Sequence, residues 1–102
     1  MRKHFFIEKM PEYPGGESVL NEFIYKNLIY PKESRVEGKV YVRFVVSEKG
    51  IVKEAKIFRF LDPYCDKEAL RVVRLLSNWT PAVMNEVNVP CYYIVVIKFK
   101  KQ

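Results

Sequence analysis

The chain has 102 residues, the size of one domain. Its composition, 49% from the AVILMFWYC set with 15% aromatic, supports a packed core and excludes a disordered tail. Eighteen Lys and Arg against 12 Asp and Glu set the formal charge at +6, which permits an anionic partner without naming one. No apolar run approaches the roughly 20 residues needed to span a bilayer, and Met1-Arg2-Lys3 leads into a short apolar stretch before charge returns at Glu8, so no secretory leader is expected.

Residues 1–16 read as an extended lead-in and 17–102 as the folded domain. Met10-Pro11-Glu12-Tyr13-Pro14-Gly15-Gly16 breaks any helix or central strand. Over 17–28, Leu20, Phe23, Ile24 and Leu28 fall on one stripe of a 3.6-residue period. Ser18 or Gly16 is placed to cap that helix, Glu17 suits its dipole, and Tyr30-Pro31 is expected to end it. Over 39–46, Val40, Val42, Phe44 and Val46 alternate with Lys39, Tyr41, Arg43 and Val45, the pattern of a half-buried strand. A tight turn at Ser47-Glu48-Lys49-Gly50 leads to a return strand over 51–60. Its parity breaks, since Ala55 and Ile57 share a face that Val52 misses, and a bulge near 53–54 would bring Val52 inward.

Asp62-Pro63 reads as N-cap and first residue of a second helix, with Ala69, Val72, Val73, Leu76 and Trp79 as its apolar stripe and Trp79-Thr80-Pro81 as its stop. A loop of about ten residues through Asn85 and Pro90 is expected next, by the spacing of turn residues. The run 91–100 then alternates Cys91, Tyr93, Val95, Ile97 and Phe99 with Tyr92, Ile94, Val96, Lys98 and Lys100, the most strand-like segment of the chain. Helix, strand, strand, helix, strand predicts an α+β domain with two helices packed on one face of a three-stranded antiparallel sheet.

Little in the chain suits chemistry. Cys65 and Cys91 form no CxxC pair, and the one histidine, His4, lies in the lead-in, so neither a metal site nor any cofactor is expected. Two buried or half-buried thiols are the simpler reading of the cysteines, with a disulfide open to them in an oxidising compartment. Cys65 has no candidate base, and Asp62, Asp66 and Glu68 sit where a helix start favours acids. Gly15-Gly16 precedes a helix but lacks the strand and GK[ST] of a phosphate cradle. The chain therefore reads as a non-enzyme. A nucleic-acid reading rests on net charge and on the aromatic strand 38–44. Phe44 among valines marks that strand as core, and the basic residues appear spread over both helices and both termini, so no nucleic acid is expected.

With these elements placed, the chain resembles a TonB C-terminal domain of the form common in Bacteroidetes. The resemblance is carried by the lead-in 10–16, by Tyr30-Pro31, by the Gly38-led strand through Val46, and by Gly50-Ile51-Val52. Asp66-Lys67-Glu68-Ala69-Leu70-Arg71-Val72-Val73 and Trp79-Thr80-Pro81 complete it, and together these cover about 10–100. The sequence departs from the family pattern in a short loop between Pro31 and Gly38, in Asn85-Glu86-Val87-Asn88-Val89-Pro90 where a Gly-Lys-Pro turn is usual, and in Val96 where many relatives carry proline. The membrane anchor and proline-rich spacer of a complete TonB are not within this stretch.

The resemblance implies a non-enzymatic, periplasmic binding module, tethered in the family to the inner membrane, that couples energy to transport by gripping an extended segment of an outer-membrane TonB-dependent transporter. It implies a docking edge along the last strand: Cys91, Tyr92, Tyr93, Ile94, Val95, Val96, Ile97, Lys98 and Phe99, with strand addition as the mode. It also implies family motif positions at Tyr30, Pro31, Gly38, Trp79 and Pro81. A homodimer through the same strand competes with peptide binding. A basic nucleic-acid-binding domain and a periplasmic sensor or regulatory domain of the same fold are the rival readings.

Overall fold

The computed structural model describes residues 7–101; His4 and the basic opening of the chain lie outside them. Helix α1 is Glu17–Asn27, with Leu20 and Ile24 buried and Phe23 and Leu28 partly so. Gly16, not Ser18, occupies the N-cap, and no side chain caps the helix there. The helix ends before Tyr30-Pro31 is reached, because Leu28 is already extended. The Arg71 guanidinium, paired with Glu68 at 2.7 Å, donates at 2.8 Å to the Asn27 carbonyl, and Glu68 accepts from the Ile29 amide at 2.7 Å. These bonds satisfy backbone groups that a helix terminus would otherwise leave open.

Strand β1 (Gly38–Val46) buries Val40, Val42, Phe44 and Val46 completely, as the alternation predicts. Strand β2 (Val52–Arg59) returns antiparallel. Val45 pairs with Lys53 and Arg43 with Lys56, so Glu54 and Ala55 together oppose Phe44, and Glu54 takes φ 53°. This is the expected bulge, and it turns Val52, Ala55 and Ile57 alike toward the core. A second irregularity, not expected from the sequence, leaves Phe58 as the extra residue between the Tyr41–Arg59 and Val42–Ile57 pairs.

Helix α2 is Pro63–Val73, capped by Asp62, whose carboxylate accepts from the Cys65 amide at 2.7 Å. The predicted continuation to Trp79 is wrong. The Leu75 and Leu76 amides bond back only three residues, tightening the last turn, and Asn78 takes φ 59°. Leu76 and Trp79 remain buried, but from irregular backbone, so a helical period in the sequence records their burial and not their conformation.

The predicted loop is also corrected: β3 (Ala82–Met84) and β4 (Val87–Val89) form a hairpin. Its turn residues, Asn85 and Glu86, both have positive φ, the requirement of a type I′ turn. The lead-in flanks this hairpin, since the Glu8 and Lys9 amides donate to the Val83 carbonyl and Glu12 exchanges both backbone bonds with Thr80. Strand β5 (Cys91–Phe99) pairs with β1 along its whole length, giving the sheet order β2-β1-β5. Both helices share one core with the inward side chains of all three strands: two helices on one face of an antiparallel sheet. Among the described residues no helix is long and apolar enough to cross a membrane.

The β1–β2 turn locks onto the segment after α2. The Trp79 amide donates to the Gly50 carbonyl at 3.1 Å, and a Cβ on Gly50, at φ 78°, would lie 2.1 Å from the Trp79 carbonyl oxygen. Gly50→Ala should therefore lower stability by about 3 kcal/mol, adding left-handed strain to a backbone clash. Gly16→Ala, at φ 91° and ψ −174° but with nothing within 4 Å, carries backbone strain without a clash and should cost less, about 2 kcal/mol. Urea midpoints of the two variants check the difference.

Candidate functional site

The three acids singled out in the sequence are committed to the fold. Asp62 holds the start of α2 and accepts the Ser34 hydroxyl at 2.7 Å, Asp66 accepts the Leu61 amide at 2.9 Å, and Glu68 braces α1 against α2. Burial pushes the Asp62 carboxyl up, but its bonds from the Cys65 amide and Ser34 outweigh that and hold it below 3.8. Glu68 behaves alike: burial raises it, and Arg71 and the Ile29 amide bring it below 4.5. The two cysteines are free. Burial, with some help from the charges of Asp62 and Asp66, pushes the Cys65 thiol up to about 11, so it stays protonated and unreactive at neutral pH.

The sheet has two edges of different character. The β2 edge is broken by two irregularities and carries Lys53, Glu54 and Lys56, features that discourage pairing. The β5 edge is regular over nine residues and, among the described residues, has no strand beyond it. The Lys98 amide donates at 3.0 Å to the Tyr25 hydroxyl of α1, away from β1. Successive residues of an antiparallel strand aim their N–H and C=O to opposite sides. Tyr92, Ile94 and Val96 thus share the outward side with Lys98, while Cys91, Tyr93, Val95, Ile97 and Phe99 serve the β1 ladder. The nine expected docking residues therefore divide into two sets, and only the even-numbered ones offer backbone groups to a partner.

Beside this edge runs a groove of about 650 Å³ between β5 and α1, with Leu20, Asn21, Tyr25 and Leu28 on the helix side and Tyr93 to Val96 on the strand side. Tyr93 is half-buried along it, and burial, followed by the Glu17 charge, raises its phenol. The motif residues stand at the two ends of β5. At one end the Tyr30 ring packs 6.3 Å from Phe99, its hydroxyl donates to the Val36 carbonyl, and Gly38 pairs with Phe99. Pro31 lies with Tyr30 in a small surface hollow beside Lys101. At the other end Trp79 packs 4.8 Å from Tyr93, between Phe44 and Tyr13, and Pro81 lies near Tyr93. Trp79 is a core residue, and Tyr30 fastens the loop after α1; both position the strand from behind. The helix wall of the groove, Tyr25 above all, was missed in the sequence. Its signal was an exposed aromatic one position beyond Ile24, flanking the buried stripe of α1.

An α+β domain with one open, regular strand edge lined by a helix groove has the form of a module that binds an extended chain. The sequence model of the Gram-negative bacterial TonB protein C-terminal family matches residues 26–100, and the chain belongs to that family. The family consists of non-catalytic, periplasmic protein-interaction domains that engage outer-membrane transporters. No curated protein and no solved structure matches the chain. The match begins at Lys26, so most of α1, with Leu20 and Tyr25, stands outside it.

Two outcomes follow from this chemistry. Asp62 and Glu68 lie below their ordinary values of 3.8 and 4.5, so their stabilisation is complete above about pH 4.5 and is lost as pH falls below 3.8 through the lower folded values. Asp62→Asn keeps a capping oxygen and should flatten that acid limb, read as thermal midpoints from neutral pH downward. Tyr25→Phe removes the acceptor of the Lys98 amide and should speed its hydrogen exchange about tenfold or more, toward the rates of Ile94 and Val96.

Proposed function

We propose that this domain is a non-enzymatic periplasmic binding module that accepts an extended segment of an outer-membrane TonB-dependent transporter as an added strand on β5, in energy-coupled transport. The observation that carries this reading is the outward row of N–H and C=O groups at Tyr92, Ile94 and Val96, bounded at one end by the Tyr25 cap on Lys98. At the other end, among the described residues, it is met only by the weak bond of the Cys91 thiol to the Tyr92 carbonyl at 3.4 Å. Main-chain bonds to that row supply affinity, and alternate side chains of the incoming strand fall into the α1 groove, where Leu20 and Leu28 select apolar groups. Valine at position 96, in place of the proline of many relatives, adds one more edge donor. Cys91 to Phe99 together form the docking strand, the odd-numbered residues by holding it to β1. Tyr30, Pro31, Gly38, Trp79 and Pro81 act by fixing its ends.

A second copy of the chain would use the same row, and pairing through it gives a homodimer that excludes the peptide. Titration of the labelled domain with peptides from periplasmic N-terminal segments of transporters of the same organism separates these cases. Amide shifts centred on Tyr92, Ile94 and Val96 are expected. Ile94→Pro, which deletes an outward donor and leaves the β1 ladder whole, should weaken binding at least about tenfold, the loss of about 1.4 kcal/mol or more. Failure of every peptide to move those amides, with a dimer in sedimentation, overturns the transporter reading.

A further inference from the structure

The face of the sheet turned away from the helices concentrates the charge of the whole molecule. The three strands hold six of the 18 Lys and Arg (Lys39, Arg43, Lys53, Lys56, Arg59 and Lys98) and one of the 12 acids, Glu54 in the bulge, so the remainder of the chain is balanced to within one charge. Along the sequence these cations look dispersed, yet the strand registers bring all six to the outward face. Arg43 stands opposite Lys56, Lys39 opposite Lys98, and Lys53 and Arg59 opposite the outward Val45 and Tyr41. Two directly opposed like-charge pairs disfavour the free fold, and a bound anion relieves them.

The guanidiniums are held in place. Arg43 lies over both Phe58 (5.6 Å) and Tyr92 (4.7 Å), and Arg59 lies over Tyr41 (5.4 Å). Stacked in this way they keep N–H edges free for oxyanions. Between the cations stand exposed apolar side chains: Phe58 is 53% exposed, Ile94 43% and Val96 38%.

We propose that this face docks the domain on an anionic phospholipid surface. The cations lie on all three strands, spread over a plane. A flat array of headgroup phosphates meets all six together, whereas a single acidic strand meets one row. The apolar side chains among them enter the headgroup–acyl boundary, which a purely anionic polymer does not provide. A second copy of the face is repelled by its own charge. Nucleic-acid bases would compete for aromatic faces with the guanidiniums that already lie over Phe58, Tyr92 and Tyr41. The face is separate from the β5 edge, so a strand added there widens the platform and leaves it uncovered.

Vesicle co-sedimentation tests this with the intact protein. Binding is expected to phosphatidylcholine vesicles containing phosphatidylglycerol and not to phosphatidylcholine alone, weakening about tenfold from low to physiological salt. Arg43→Glu with Lys56→Glu should reduce binding at least about tenfold, and Lys39→Glu with Lys53→Glu serves if that pair fails to fold by circular dichroism. Lys67→Glu with Arg74→Glu makes the same charge change on α2 and its C-cap and should leave most of the binding intact. Equal loss in the α2 variant overturns the proposal, as does oligothymidine or polyglutamate binding more tightly than the anionic vesicles.

Discussion

The backbone junction between Gly50 and Trp79 is the constraint on which the rest of the structure depends. A turn residue at φ 78° accepts the Trp79 amide, and the two chains approach so closely that even a methyl group has no room. That contact sets the indole against Phe44 of β1, Tyr93 of β5 and Tyr13 of the lead-in. One interaction thus joins the β1–β2 turn, the exit of α2, the last strand and the segment that precedes α1. The edge-to-face arrangement of these rings adds directional energy to the area they bury. The indole N–H has no acceptor among the described residues, so aromatic packing holds this ring in place.

From that anchor the two surfaces of the sheet acquire separate roles. Because β1 is central, β2 and β5 are both edges, and the fold treats them differently. Bulges at Glu54 and near Phe58 twist and interrupt β2, and charged side chains complete its protection. Strand β5 has no bulge, and among the described residues its outward backbone is reached by the Tyr25 hydroxyl at Lys98 and by the Cys91 thiol, a weak donor, at the Tyr92 carbonyl. Unpaired, regular backbone is therefore confined to one edge, and the strands' cations to the broad face at right angles to it. A single nine-residue strand contributes to both through alternate groups, its outward amides to the edge and its outward side chains to the face.

Much of this was legible in the residues. Strict alternation at Val40, Val42, Phe44 and Val46 and again at Val95, Ile97 and Phe99 specified both strands and their buried sides, since a one-residue slip would expose every one of them. Broken parity around Val52 located the first bulge, and Asp62-Pro63 marked the start of α2 to the residue. Other features were not legible. Leu76 and Trp79 continue a helical spacing that the backbone abandons at Val73, because burial in a shared core constrains side-chain position and leaves the route open. The β3–β4 hairpin was hidden because its turn is Asn85-Glu86, and glutamate carries no signal for positive φ.

The sequence by itself determined the α+β class, the two helices, the three long strands and the family, because periodicity and capping are local properties written in neighbouring residues. Only the tertiary structure decided which edge is open, which half of the 91–99 backbone faces outward, and that Tyr25, 73 positions from Lys98, caps one of its donors. Tertiary structure likewise decided that cations scattered from Lys39 to Lys98 stand on one face. These properties depend on strand order and register, which long-range pairing sets and no single segment encodes.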